Sequence, residues 1–151
     1  QEVDIGTVEP VDLTGLAAEE CARQSIELET GSDSAAVTVD GVPKLLRRAL
    51  RNLIENARRY GTGAITIGVR REGERAVLRV SDRGPGVPPN LRERIFEPFY
   101  RLPGASERSG GVGLGLALVK SIAQRHKGTA YCEDRSGGGA SFVVELPLRN
   151  M

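Results

Sequence analysis

Between Asp40 and Gly61 the chain places Leu45, Leu46, Ala49, Leu50, Leu53, Ile54 and Ala57 at helical spacing, so that they share one face. Asp40 and Pro43 mark the start of this helix and Gly61 its end. A helix striped in this way holds only against a second apolar layer, and the rest of the chain offers one. Ile26–Glu29, Ala36–Val39, Ile65 to Val69, Val77–Ser81, Thr129–Cys132 and Phe142–Leu146 read as strands. Val77–Ser81 is mostly apolar and is expected to be central. Val8–Leu13 reads as a further short strand, with Pro10 placing it at an edge. Thr14 is expected to cap a helix through Leu16, Ala17, Glu20, Cys21 and Ala22. Leu91–Phe96 reads as a short helix and Leu114–Gln124 as a second strong one. Turns are expected at Gly31–Ser34, Arg71–Glu74 and Gly137-Gly138-Gly139, and Pro147 ends the last strand. The expected fold class is α+β: a two-layer α/β sandwich, its mixed and mostly antiparallel sheet of about five strands covered by three helices.

Composition narrows the function classes. A chain of 151 residues suits one domain. A net charge of +1 gives no basic footprint for nucleic acid. No apolar run approaches the ~20 residues that span a bilayer, and Gln1 to Asp4 do not begin a signal peptide. Cys21 and Cys132 make neither a disulfide framework nor a metal knuckle, and are expected to be reduced. With His126 the single histidine, histidine-based catalytic triads and multi-histidine metal sites are poor bets. Glycine, at 19 residues, is about twice the usual ~7%.

Four local features point to chemistry. Arg48, Asn52, Asn56 and Arg59 form a polar stripe beside the apolar face of the 43–60 helix. Such asparagines could simply bond backbone, but an amide oxygen is also a neutral ligand for Mg²⁺. Asp82 follows a buried strand and precedes Gly84 and Gly86. It could be an ordinary turn aspartate; as an acceptor-only group it would also select adenine's exocyclic amine over guanine's carbonyl. The run from Gly110 to Leu116 opens a helix, where free N–H groups and the helix dipole favour phosphate. It is neither a P-loop nor a dinucleotide fingerprint, because no Gly-Lys-Ser/Thr and no preceding strand accompany it. Last, Phe96, Phe99 and Tyr100 crowd into Ile95–Arg101. They suit either a small satellite core or the hinge of a lid, with Arg101 reaching a phosphate.

Taken together and in order, these segments resemble the catalytic, ATP-binding domain of bacterial sensor histidine kinases, a Bergerat fold. Asn52 to Gly61 resembles the N box, Asp82-Arg83-Gly84-Pro85-Gly86-Val87-Pro88 the first glycine box, Ile95–Arg101 the F box and Gly111 to Val119 the second glycine box. Gly137–Phe142 with Val144 to Pro147 resembles the closing strand, so the likeness runs over about residues 8–148. It implies that Asn56 is the Mg²⁺ ligand, with Asn52 beside it near the phosphates and Arg59 contacting them. Tyr60 would stack on adenine, Asp82 would read it, and Gly84, Gly86 and Val87 would line the base. Gly111, Val112, Gly113, Leu114 and Gly115 would offer amides to the phosphates. Arg101 would reach the γ-phosphate or the acceptor histidine, Glu55 could act as base or orienter, and about 100–112 would be the ATP lid.

The implied activity is transfer of the γ-phosphate of Mg²⁺–ATP to a histidine. That histidine would lie in a dimerisation domain absent from residues 1–151, with residues 1–7 the end of a linker, residues 8–149 the catalytic domain and a response regulator downstream. His126 is then a helix-end residue and not the acceptor, and Lys127, where the family often has glycine, suggests an altered helix ending. The resemblance further implies a cytoplasmic domain of a membrane-anchored kinase, without nucleic acid or direct membrane contact, monomeric as a fragment and homodimeric in the full protein. Asn52 stands where the Hsp90- and gyrase-type ATPases have a water-activating glutamate, so rapid hydrolysis is not expected. The alternatives are an anti-sigma-factor-type serine kinase and a degenerate nucleotide-binding module. The first lacks the Phe96–Arg101 pattern, and intact nucleotide motifs argue against the second.

Overall fold

The computed structural model describes residues 6–30, 37–60, 64–99, 115–135 and 137–149, with the side chains of Thr30 and Tyr60 left aside. The elements run β1 (Glu9–Asp12), α1 (Leu13–Gln24), β2 (Glu27–Thr30), β3 (Thr38–Gly41), α2 (Pro43–Tyr60), β4 (Thr66–Glu72) and β5 (Arg75–Ser81). Two short 3₁₀ turns follow, then α3 (Gly115–Arg125), β6 (Thr129–Asp134) and β7 (Ala140–Pro147). The main sheet has the order β2-β4-β5-β7-β6, parallel between β2 and β4 and antiparallel elsewhere. β5 is central, as its apolar run implies. β1 and β3 pair separately as an antiparallel ladder, where Pro10 lies opposite Asp40.

The strand period of two sorts the sheet into faces. Ile67, Val80 and Phe142 lie side by side across β4, β5 and β7, as do Val69, Leu78 and Val144. These face Leu46, Leu50, Leu53, Val119 and Ile122 of the helices in one core. Val77 and Val143 on the other face are also buried yet stand outside that core. Charged side chains lie over that face: Arg79 bonds both Glu133 and Glu72, and Tyr131 bonds Glu145. Burial first, and then the Glu145 carboxylate, push the Tyr131 hydroxyl up to about 12.

Four expectations need correction. The cap of α1 is Asp12, not Thr14: its Oδ1 accepts from Gly15 N at 3.0 Å. The extended residue leaving β1 has its carboxylate in capping position, whereas Thr14 is already inside the helix. Leu91–Phe96 is not a helix but two 3₁₀ turns, Pro89–Leu91 and Arg94–Phe96. The second short strand starts at Thr38, and Ala36, like the Gly31–Ser34 turn, lies outside the described residues. The hairpin bend narrows to Gly73 and Glu74, where Gly73 takes φ +62°.

α2 meets α1 through polar contacts as well as the core. Arg47, Arg51 and Arg58 reach Glu19, Glu20 and Gln24. Glu20 is only 1% exposed and takes Arg51 Nε at 2.9 Å and Gln24 Nε2 at 3.1 Å. Burial acts to raise its pKa, but these bonds and the charge of Arg51 hold it below the usual glutamate range. A depressed carboxylate adds stability above its unfolded value and loses it as pH falls through its folded value. Arg51→Ala is therefore expected to cost about 2 kcal/mol at pH 7, below the ~3–5 of a fully enclosed pair because the guanidinium is partly solvated. That penalty shrinks only as pH falls below the usual glutamate range, to about 3, and Glu20 is protonated. Urea unfolding of both proteins at the two pH values checks it, and a pH-independent difference would contradict the assignment.

Candidate functional site

β5 delivers Asp82 to the end of the central strand. Asp82 N donates to Ala140 O at 3.0 Å, which continues the β5–β7 ladder one residue past the strand. Its side chain, only 4% exposed, folds back so that Oδ1 accepts from Gly84 N at 2.9 Å and Ala140 N at 3.4 Å. Among the described residues Oδ2 accepts no hydrogen bond. Among the described residues the fully enclosed side-chain atom without a partner is Arg135 Nη1, and Oδ2 is not of that kind. Beside it the Ser81 and Ser141 hydroxyls bond one another at 2.8 Å. A buried carboxylate with one oxygen fixed by backbone and the other open is a preorganised acceptor.

The loop leaving Asp82 is pressed against the β6–β7 turn. Gly86 takes φ +80°, and a Cβ there would come within 3.3 Å of Gly139 O. Val87 then enters the core with Ile95 and Phe96, so the loop is anchored on both sides of its glycines. Arg92 Nε donates to Val87 O at 3.3 Å and its Nη2 bonds Asp134 at the end of β6. Beneath lies Cys132, whose thiol is pushed up to about 12, chiefly by burial. It stays protonated and packs as a small hydrophobe.

The helices supply the other wall. α2 turns its apolar face to the sheet and its Asn52 flank to α3. Asn52 Nδ2 donates to Gly115 O at 3.3 Å, which ties the first turn of α3 to α2. Asn56 lies one turn further along, half-buried. Glu55 and Arg59 form an exposed ion pair at 3.7 Å. Gly115 opens α3, and nothing lies within 4 Å of where its Cβ would be. Thus Asn52 meets Gly115 and Asp82 meets Gly84, while Glu55 meets Arg59. Arg101, Gly111, Val112, Gly113, Leu114 and the expected lid at 100–112 lie outside the described residues, as does the Tyr60 side chain.

At the far end of α3, His126 Nδ1 donates to Ile122 O at 2.7 Å and its Nε2 accepts from Val42 N at 3.1 Å, the tautomer this geometry requires. This joins α3 to the start of α2. Lys127 does not divert the helix. It takes φ +65°, and Gly128 N donates to Ala123 O at 2.8 Å, so the helix closes in the left-handed manner that a glycine would adopt freely. Lys127→Gly is accordingly expected to stabilise the domain by about 1 kcal/mol. Chemical unfolding measures it, and a loss of stability would show that the lysine side chain outweighs the strain.

Arg92, Asp134 and the Ser81–Ser141 pair carry no separate signal in the sequence. Gly139 was visible only as one of three turn glycines.

Comparison with known proteins agrees with this architecture. The histidine kinase-, DNA gyrase B- and HSP90-like ATPase family matches residues 41–150. The chain is 45% identical over 109 residues to the sensor histidine kinase CpxA of Escherichia coli K12, covering 72% of this chain and 24% of CpxA. It is 35% identical over 156 residues to the alginate biosynthesis sensor protein KinB of Pseudomonas aeruginosa, covering 98% of this chain and 25% of KinB. The chain thus spans about a quarter of the length of these sensors. The ATP-binding domain of PrrB from Mycobacterium tuberculosis superposes with TM-score 0.73 at 32% identity, over 95% of this chain and 98% of that one. The histidine kinase domain of the E. coli osmosensor EnvZ gives 0.70 at 33% identity, over 100% and 93%. The mixed five-stranded sheet beneath its helices is the Bergerat fold of these domains. By matched length, identity and fold, the chain belongs to the histidine kinase-, DNA gyrase B- and HSP90-like ATPase family, as a catalytic ATP-binding domain of the sensor histidine kinase type.

Proposed function

We propose that this domain binds Mg²⁺–ATP and passes the γ-phosphate to a histidine of a separate dimerisation and phosphoacceptor domain, which then serves a response regulator. Asp82 carries the reading: a buried carboxylate, held through Oδ1 by two backbone N–H groups and left with Oδ2 as an acceptor. Such a group accepts from the exocyclic amine of adenine and is repelled by a carbonyl in that place. Gly84 and Gly86 admit the base close to the backbone, Val87 lines it and Tyr60 stacks on it. The N–H groups of Gly111, Val112, Gly113, Leu114 and Gly115 receive the phosphates at the start of α3. Asn52 and Arg59 face the same phosphates, and Arg101 reaches the γ-phosphate or the acceptor.

The donor chemistry suits Mg²⁺. Among the described residues no group of three or more His, Cys, Asp or Glu side chains gathers as a cage. Asn56 instead contributes a neutral amide oxygen, which fits an ion that keeps waters and phosphate oxygens around it. When bound, Mg²⁺–ATP supplies the transferable phosphoryl group and neutralisation of its charge. The chain's own residues position and screen. A neutral histidine nitrogen is already a nucleophile, so Glu55 serves to orient Arg59 through their ion pair. Among the described residues no helix is long and apolar enough to cross a membrane. We place the domain on the cytoplasmic side of a membrane-anchored homodimer.

The test has two steps. The purified domain is titrated with a non-hydrolysable ATP analogue with and without Mg²⁺, beside Asn56→Ala. It is then mixed with the separately expressed dimerisation domain of its own sensor and labelled ATP. Mg²⁺-dependent binding that loses this dependence in Asn56→Ala, followed by an acid-labile label on the acceptor, is the expected result. A folded wild-type domain that binds no analogue would overturn the proposal.

A further inference from the structure

The geometry points to Arg92 as a positioning residue for the base-reading carboxylate, a role that rests on the nucleotide-binding reading above. Its guanidinium ties together two segments that also meet at Asp82 and where Gly86 lies against Gly139. One arm, Nε, donates to the carbonyl of Val87, where the loop leaves its glycines. The other, Nη2, holds the carboxylate of Asp134, which closes β6. Asp134 lies opposite Ala140 in the β6–β7 ladder, and Ala140 N is one of the two donors that fix Asp82 Oδ1. The other donor, Gly84 N, belongs to the loop that Arg92 holds at its far end. Arg92 therefore sets the distance between the two donors that aim Asp82, through its bonds to Val87 O and Asp134.

The fork matters as much as the charge. A planar guanidinium reaches a carbonyl and a carboxylate at once from fixed positions, whereas a lysine offers one point charge. The arginine is largely covered, with 25% of its side chain exposed, while Asp134 is 76% exposed. The covered contact is thus the one to the loop.

The experiment compares wild type with Arg92→Ala, Arg92→Lys and Asp134→Asn. It reads amide hydrogen exchange in the nucleotide-free domain and affinity for a non-hydrolysable ATP analogue. In Arg92→Ala, exchange at Gly84 and Ala140 is expected to rise at least tenfold while Leu78, in the middle of β5, keeps its protection. Affinity for the analogue is expected to fall about tenfold, the worth of one hydrogen bond to a charged group. Arg92→Lys and Asp134→Asn should fall between. They carry the test if the alanine variant does not fold. Unchanged exchange at Gly84 and Ala140 would overturn the inference. So would an equal rise at Leu78, which would reduce Arg92 to a general contributor to stability. If the wild-type domain binds no analogue, the proposed function fails, and the exchange pattern alone still decides whether Arg92 aims Asp82.

Discussion

Replacing Asp82 by asparagine is expected to weaken ATP binding about 100-fold and to admit GTP. The amide retains an oxygen, so Gly84 N and Ala140 N can still donate to the atom in the Oδ1 position. The Oδ2 position then becomes an NH₂ group. An exocyclic amine of adenine would meet a donor instead of an acceptor, and both would be left unpaired in a site that is almost closed to water. Two unsatisfied buried donors, with loss of one charge-assisted bond, amount to about 3 kcal/mol, which is about 100-fold. Guanine presents a carbonyl at the corresponding edge, and the new NH₂ group can donate to it. Since the loop's own bonds survive, the melting temperature should move by only a few degrees. Titration of both nucleotides into wild type and variant gives the answer. Parallel weakening of ATP and GTP with an intact fold would mean that Asp82 shapes the pocket without reading the base.

Asp82 could be singled out in the sequence for a physical reason: an acidic residue between an apolar strand and a glycine pair is a local pattern. The same holds for the sheet and the two long helices, whose period is set by neighbours only a few residues away. Residues joined across the fold carried no such signal. His126 reads as a helix-end residue, and it is one, but its bond to Val42 N crosses 84 positions. Asn52 reads as part of a polar stripe, while its bond to Gly115 O crosses 63. Arg92 stands in a run of charged residues with nothing to distinguish it, because its partners are a backbone carbonyl and an aspartate 42 positions away. Local competition defeated two further expectations. Asp12 and Thr14 are both good caps, and the strand's exit geometry decided between them. Pro88 and Pro89 open the stretch that forms the two 3₁₀ turns, and neither proline has a backbone N–H to donate.

The closing glycines offer the sharpest test of how the fold supports the site. Gly138 and Gly139 have nearly the same φ, +107° and +103°. A Cβ at Gly138 would meet nothing within 4 Å, so Gly138→Ala carries backbone strain alone, about 1–2 kcal/mol. A Cβ at Gly139 would lie 2.0 Å from the carbonyl oxygen of Asp82 and 2.9 Å from Cα of Arg83. Both neighbours are backbone, so no side chain can rotate away. Either the β6–β7 turn or the Asp82 loop must move, and Ala140 N, one bond along, is a donor to the carboxylate. Gly139→Ala is therefore expected to destabilise by at least about 3 kcal/mol, which for a domain of this size lowers Tm by about 10 °C. Nucleotide affinity should fall with it at temperatures where the variant is still folded, because the displaced segment is the one that aims Asp82. Gly138→Ala should bind as wild type does. Equal losses in the two variants would show that strain at the turn, and not contact with the loop, sets the requirement for glycine. A larger loss at Gly139, in both stability and affinity, would show that the turn is built around the backbone of the base-reading residue.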